Sequence, residues 1–283
     1  MEKKLGILGC QSKHAEFFGS LFNIENAFPG YQVHYLFGDD EPERLPYVQR
    51  TAVIPTVCHS ADALIEQSDV VLITYREGQR HFAPAMACLN QSKPVFIDKP
   101  FTRTPDEAQA LIEKSIEKHV PMLGGSTLCF DPQIEPFSSA AHTSHFGTIA
   151  YRADADSPFG GYRFYGSHLT DLCATVFGTD AQSVEAFRFG NAVSTCVVYP
   201  NRLVMLYSQP DLKKPTIIMD DRRNLNKLTL DDERCYFNGM QAFVRLLEAG
   251  KPDPQKLNEL AFSVRLLEAI IQSLTQGGEI QLI

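Results

Sequence analysis

No Cys-x-x-Cys pair occurs in the chain, although it carries seven cysteines, at positions 10, 58, 88, 129, 173, 196 and 235. Thiols scattered in this way exclude a disulfide framework and a cysteine-based zinc site, and a reducing cytoplasm is the expected location. No apolar run approaches the length of a membrane span. The short run after Met1-Glu2-Lys3-Lys4 gives way at once to Gln11-Ser12-Lys13-His14, so neither a membrane segment nor a secretory leader is expected. Positive charge is in the minority. Lys plus Arg number 26 against 34 Asp plus Glu, a net charge of −8, and a binder of nucleic-acid backbone needs the opposite balance. There is no Gly-x-Ser-x-Gly nucleophile elbow, and no two histidines lie at i, i+4 around a glutamate. His142 and His145 are three apart, but Ala141 and Ser144 beside them read as surface, so no metal site is expected. Repeats, low-complexity tracts and long linkers are also missing.

What is present is a chain of 283 residues with 44% apolar content, enough for two folded domains. Apolar runs at Leu5–Leu8, Tyr31–Phe37, Val53–Val57, Val70–Ile73, Val95–Ile97 and Val120–Leu123 read as buried strands. Helical spacing separates them: Phe17, Phe18, Leu21 and Phe22; a short helix capped by Ser60; Phe82–Asn90 with Pro84 in its first turn. Thr104-Pro105-Asp106-Glu107 is a capping box, and Ala108, Leu111, Ile112 and Ile116 form the expected buried face behind it. Alternating strands and helices predict a doubly wound parallel sheet over residues 1–124. Past Gly125 the rhythm changes. Helices are expected after Asp131-Pro132 and after Gly160–Gly166. An antiparallel meander follows through Val184–Phe189, Val193–Tyr199, Leu203–Tyr207 and Ile217–Met219, then two helices around 239–249 and 255–274, and a last strand at Glu279–Leu282. The fold class is therefore α/β, with a second α+β domain over 125–283 carrying an open, mostly antiparallel sheet.

Four constellations can carry chemistry. Gly9-Cys10-Gln11-Ser12-Lys13-His14 lies where a dinucleotide loop belongs, between the first strand and its helix. Only the first of three glycines is kept, with Gln11 and His14 in the other two places. Backbone amides at that helix start, Ser12 among them, can still receive an anion. The second strand runs into Asp39-Asp40-Glu41, where an acid can accept from ribose hydroxyls or simply face solvent. As a ribose ligand Asp39 favours NAD, whereas Arg44 would suit a 2′-phosphate. Phe96-Ile97-Asp98-Lys99-Pro100-Phe101 places a lysine at the carboxyl end of a buried strand, biased away from helix by the proline, where open α/β sheets bind ligands. Finally, Gly160–Asp171 is a glycine-rich loop entering a helix with His168 and Asp171 three apart on one face. A histidine there suits proton transfer with Asp171 orienting it, or is a buried histidine with a structural partner.

Taken in order, these pieces resemble the Gfo/Idh/MocA family, the NAD(P)-dependent dehydrogenases related to glucose–fructose oxidoreductase and inositol dehydrogenase. The resemblance rests on Asp69-Val70-Val71-Leu72-Ile73-Thr74, His81, Ala87-Cys88-Leu89, Asp98-Lys99-Pro100-Phe101, Phe130-Asp131-Pro132, Gly166-Ser167-His168 with Asp171, and Gly277-Gly278-Glu279-Ile280. It implies a Rossmann-type first domain that binds NAD or NADP through Gly9, Gln11, Ser12, Asp39, Thr74, Tyr75, His81, Lys99 and Pro100. It implies Lys99 and His168 as the catalytic acid/base residues beside the nicotinamide, and a sugar, polyol or related small carbonyl compound as substrate. Many members have an aspartate four positions before the histidine. Here that position is Phe164, which leaves Tyr162, Arg163, Tyr165 and Asp171 as candidate substrate contacts. An open sheet face in the second domain predicts a homodimer or homotetramer. The altered loop and Phe164 also keep open a ligand-sensing protein without turnover, or a lyase or isomerase using bound NAD transiently.

Overall fold

Apolar stretches too short to be stable alone become the middle of a sheet in this chain. The computed structural model describes residues 2–141, 143–220, 223–231 and 234–283; His142 lies outside them. Two compact units divide the chain, one of Met1–Gly124 with Gly239–Leu257 and the other of Gly125–Asn238 with Asn258–Ile283. The second domain expected over 125–283 is thus not continuous. The Gly239–Leu257 segment carries Phe243, whose ring packs on Phe96 of the first unit at 5.6 Å between centroids, and burial of such a ring decides which body the segment joins.

The first unit runs β1 (Lys3–Leu8), α1 (Lys13–Asn23), β2 (Tyr31–Phe37), α2 (Leu45–Thr51), β3 (Thr56–Val57), α3 (Ala61–Gln67), β4 (Val70–Ile73), α4 (Phe82–Asn90), β5 (Val95–Ile97), α5 (Pro105–Lys118) and β6 (Met122–Gly124). Its six strands are all parallel, in the order β3-β2-β1-β4-β5-β6. The chain reverses direction of winding between β1 and β4, which puts a crevice beyond their carboxyl ends. Leu5, Ile7, Leu72, Phe96 and Ile97 are wholly buried in this sheet, each stabilising it by about 1.5–3 kcal/mol. The capping box on α5 forms as predicted: Glu107 N–H donates to Thr104 Oγ1 at 3.2 Å and Thr104 N–H returns to Glu107 Oε2 at 3.3 Å. Three details depart from expectation. Only Thr56–Val57 of the Val53–Val57 run is strand, because Pro55 offers no ladder donor and Val53 sits at φ 50°. Ile116 is half exposed; the buried stripe of α5 passes through Ala108, Leu111, Ile112 and Ser115. The helix α2 forms where no helix was predicted.

In the second unit come α6 (Ile134–Ala141), β7 (Phe146–Tyr151), α7 (Arg163–Phe177), β8 (Ser183–Phe189), β9 (Ala192–Val198), β10 (Leu203–Ser208), β11 (Thr216–Asp220) and β12 (Leu225–Thr229). The helices α8 (Cys235–Ala249) and α9 (Pro254–Thr275) each run from one unit's residues into the other's, and β13 (Gln281–Leu282) closes the chain. The seven-stranded sheet has the order β12-β11-β7-β10-β9-β8-β13. The predicted meander holds from β8 to β10 and then breaks. β11 pairs with β7, not with β10, and β7 lies parallel to β10 between them. Gly147 hides β7 from a hydrophobic-pattern reading, yet the glycine is required: a Cβ there would stand 2.3 Å from the Phe177 ring of α7. α7 buries Leu169, Leu172, Cys173, Val176 and Phe177, which share a core with Ile149, Val197, Leu206 and Ile217 of the sheet.

Candidate active site

The loop after β1 keeps one glycine because only that position needs it. Gly9 has φ +100°, and a Cβ on it would come within 2.8 Å of Tyr75 N at the end of β4. Thr74 closes the same junction, its hydroxyl donating to Leu8 O and Gly9 O at 3.1 Å each. The second and third glycines are replaced by distant partners. Asp40 accepts from Cys10 N–H at 3.0 Å and from Gln11 N–H at 3.0 Å, and also from the Cys10 thiol at 3.2 Å. Burial, reinforced by Asp40, pushes that thiol up to about 12. His14, in the last glycine position, reaches Asp98 at 2.5 Å through Nδ1. Arg44 is engaged by Glu16 and by Cys10 O.

Beyond these bonds, two donors remain at the start of α1. Among the described residues none accepts from the Ser12 or Lys13 N–H groups, while the Ser12 side chain caps the helix by accepting from His14 N–H at 3.2 Å. Free amides at the positive end of an eleven-residue helix fit a pyrophosphate. Asp39 does not face the loop. It pairs with Arg80 and accepts from the Tyr75 hydroxyl at 3.3 Å, with the Arg80 guanidinium 4.1 Å over the Tyr75 ring. Burial first, then Asp39, raises the Tyr75 pKa. Asp40, not Asp39, is therefore the acid at the loop amides.

Lys99 follows β5, buried at 5% exposure, with its N–H donating to Asp98 Oδ1 at 2.8 Å. The Lys99–Pro100 peptide is cis. Burial alone would raise the Asp98 pKa, but the His14 and Lys99 charges and donors outweigh it and hold the carboxyl below its ordinary value. His81 supports the corner from behind. It is fully buried, Nδ1 lying 2.8 Å from Pro100 O and Nε2 2.8 Å from Tyr75 O. Burial pushes its pKa down against those carbonyls. With both nitrogens on main chain, His81 braces this corner, and the fully buried Thr74 clamps the β1–β4 junction in the same sense. Pro100 contributes its carbonyl to this brace.

In the second unit His168 lies on α7 with Nδ1 2.7 Å from Ser126 Oγ. Leu128 N–H donates to the same oxygen at 3.3 Å, so the Ser126 hydroxyl proton can go to Nδ1 and leave Nε2 as the proton-bearing nitrogen. Asp171 lies three residues further along the same helix. Its Oδ2 accepts from Ser126 N–H at 2.7 Å and its Oδ1 from Ser263, so it positions Ser126, which positions His168. The imidazole is flanked by Tyr151 at 5.5 Å and Tyr165 at 5.2 Å. Phe164 is buried between Phe159 at 5.0 Å and Tyr165 at 4.9 Å. Tyr162 is buried too, its pKa raised to about 12 by burial, and its hydroxyl lies 3.3 Å from Ser208; Gly166 admits its ring against α7. Arg163 pairs with Glu268 at 2.5 Å. Of the four candidate substrate contacts Tyr165 touches His168, while Tyr162, Arg163 and Asp171 hold internal partners. Sequence reasoning missed Asp40, Arg80, His14 and Ser126. Each lies far along the chain from its partner, and only a strand-end position for Asp40 was there to be noticed.

Parallel strand order, a reversal at β1/β4 and donors at the α1 start define a dinucleotide-binding class. Residues 3–125 match the family model described as oxidoreductase family, NAD-binding Rossmann fold, so this segment is similar to the Gfo/Idh/MocA oxidoreductases to which its motifs pointed. No curated protein matches it. Solved structures share the fold over nearly the whole length. A probable dehydrogenase from Thermotoga maritima is 14% identical at TM-score 0.81, covering 99% of this chain and 98% of that one. The scyllo-inositol dehydrogenase from Lactobacillus casei, with bound NAD(H) and scyllo-inositol, is 10% identical at TM-score 0.85, covering 100% and 99%. An oxidoreductase from Agrobacterium radiobacter in complex with NAD+, L-tartaric acid and magnesium is 14% identical at TM-score 0.79, covering 100% and 98%. At these identities the likeness is one of fold.

Proposed function

We propose that this protein transfers hydride between a nicotinamide cofactor and a sugar, polyol or related small carbonyl compound, with Lys99 and His168 moving the proton. The observation that carries the reading is the buried Lys99 at the carboxyl end of β5, fixed through Asp98 and His14 in a segment that matches an NAD-binding family model. Ser12 and Lys13 N–H groups would hold the cofactor's pyrophosphate, and Asp40 or Asp39 its adenosine ribose. Arg44 is taken up by Glu16 and Cys10 O, which supports NAD over NADP because that cation is already engaged. When bound, the nicotinamide supplies the hydride acceptor or donor.

The chain's own part is proton handling and charge. In alcohol oxidation Lys99 takes the hydroxyl proton and, as an ammonium, stabilises developing alkoxide; in carbonyl reduction it returns that proton. His168 serves as the second acid/base through Nε2, its other nitrogen held by Ser126. A homodimer or homotetramer through the second sheet is supported by Phe146, Leu203 and Tyr207, exposed on one face of β7 and β10, and a cytoplasmic location by the free cysteines. NADH fluorescence titration tests the reading: binding by the wild type is expected, and failure to bind either NADH or NADPH at millimolar concentration overturns it. Phe164, which removes the expected carboxylate, favours a second reading, a ligand sensor without turnover. Tight sugar binding with no NADH formed from any sugar or polyol would select it.

A further inference from the structure

The acid beyond β2 and the tyrosine beyond β4 meet across the strand that separates them. Asp39 lies just past the end of β2 and Tyr75 just past the end of β4, and β1 stands between those strands in the sheet. The Tyr75 hydroxyl, 3.3 Å from Asp39 Oδ1, therefore reaches over the carboxyl end of β1. Its ring rests on the loop there: a Cβ on Gly9, the first residue after β1, would stand 3.1 Å from Tyr75 Cδ1. Burial, then Asp39, raises the phenol pKa, so the hydroxyl keeps its proton and donates. Arg80 covers the arrangement, its guanidinium 4.1 Å over the buried Tyr75 ring and paired with the same Asp39 oxygen. Open α/β sheets bind dinucleotides in the crevice over β1, with the acid after β2 on the adenosine ribose. Here that acid and the surface beside it already have partners within the chain.

We infer that Tyr75, Asp39 and Arg80 form a latch across the adenosine end of the crevice, that a dinucleotide opens it by drawing Asp39 onto its ribose, and that Arg80 opposes cofactor binding by holding it shut. The inference rests on the dinucleotide-binding part of the oxidoreductase reading and adds a regulation to that site. Ribose hydroxyls must replace the phenol and the guanidinium as donors to Asp39. A partly exposed ion pair and a single cation–π contact are each weak, so the latch weakens entry without forbidding it. A residue that supported the cofactor directly would act in the opposite direction, and its loss would lower affinity.

Calorimetry with ADP-ribose, which carries the adenosine end and no nicotinamide, tests this. Arg80→Ala is expected to bind it about threefold to tenfold more tightly than the wild type. Arg80→Lys is expected to fall between them, because the charge pair stays and the planar stack is lost. Thermal melts confirm that the variants fold. A second measurement needs only the wild-type chain with isotope-labelled arginine, its Arg80 signal assigned by its absence from Arg80→Lys. That guanidinium signal is expected to be displaced by the Tyr75 ring in NMR spectra and to lose the displacement when ADP-ribose is added. Weaker or unchanged binding by Arg80→Ala, or a signal still displaced at saturating ADP-ribose, overturns the inference, while NADH formed from a sugar or polyol still upholds the oxidoreductase reading. Tighter binding by Arg80→Ala with no NADH formed from any of them upholds the inference and refutes hydride transfer instead. If neither the wild type nor Arg80→Ala binds ADP-ribose at millimolar concentration, the inference fails.

Discussion

The lysine corner of the first unit and the histidine helix of the second both bury a titratable side chain, and they do so by opposite means. Around Lys99 the supports are ionic and main-chain: Asp98, the His14 imidazole behind it, and the His81 strut to two backbone segments. Around His168 they are two tyrosine rings and one hydroxyl, with the carboxylate of Asp171 a residue removed. The first arrangement fixes a charge in place. The second fixes a ring but leaves its proton exchangeable, since a serine hydroxyl can donate or accept. On the proposed reading, one region would hold a cation at a reacting oxygen and the other would trade protons.

The sharpest way to break this contrast is Lys99→Ala, expected to lower kcat/KM by about 10²–10⁴-fold in steady-state assays once a substrate is found; an unchanged value would remove Lys99 from the chemistry. His168→Ala should cost about 10²-fold. Ser126→Ala should cost less and should move the pH–rate profile, because it alters only the partner of Nδ1. The glycines at the two sites offer a test of rigidity. Gly9→Ala and Gly125→Ala both force a side chain onto positive φ, the first within 2.8 Å of Tyr75 N and the second within 3.0 Å of Asp171 Oδ2. Each should destabilise by about 1–3 kcal/mol in denaturant melts. Only Gly125→Ala should also shift the titration of His168 followed by NMR.

A smaller effect separates ionic from hydroxyl support. The folded pKa of Asp98 lies below its ordinary value, so its stabilising contribution is present above the ordinary carboxylate pKa and is lost as pH falls through the folded one. Asp98→Asn should therefore melt below the wild type at neutral pH, and the two curves should converge in acid. Curves that stay parallel down to low pH would show that Asp98 is not held as an anion. Thr104→Ala, remote from both regions, sets the scale for a plain cap loss of about 1 kcal/mol.

Much of the first unit was legible because its signals are local. An apolar strand ending in Lys99-Pro100 and a capping box at Thr104 each lie within a few residues, and both form where the pattern placed them. The loop was not legible. Gln11 looked like an obstruction and His14 like a lost glycine, because their partners Asp40 and Asp98 lie 29 and 84 residues away. In the second unit β7 was obscured by Gly147, whose reason is a ring on α7. Helical spacing placed Asp171 and His168 on one helix, but the serine that bonds both sits more than forty residues upstream.

Cys10 gives the cofactor loop a built-in clock. Its thiol has no accessible surface and, at a pKa of about 12, almost no thiolate at neutral pH. Alkylating reagents can reach it only in molecules whose loop has let go of Asp40. The labelling rate of this one sulfur, with the other cysteines replaced, therefore counts loop openings directly, and a nucleotide that settles on the α1 amides should slow that count.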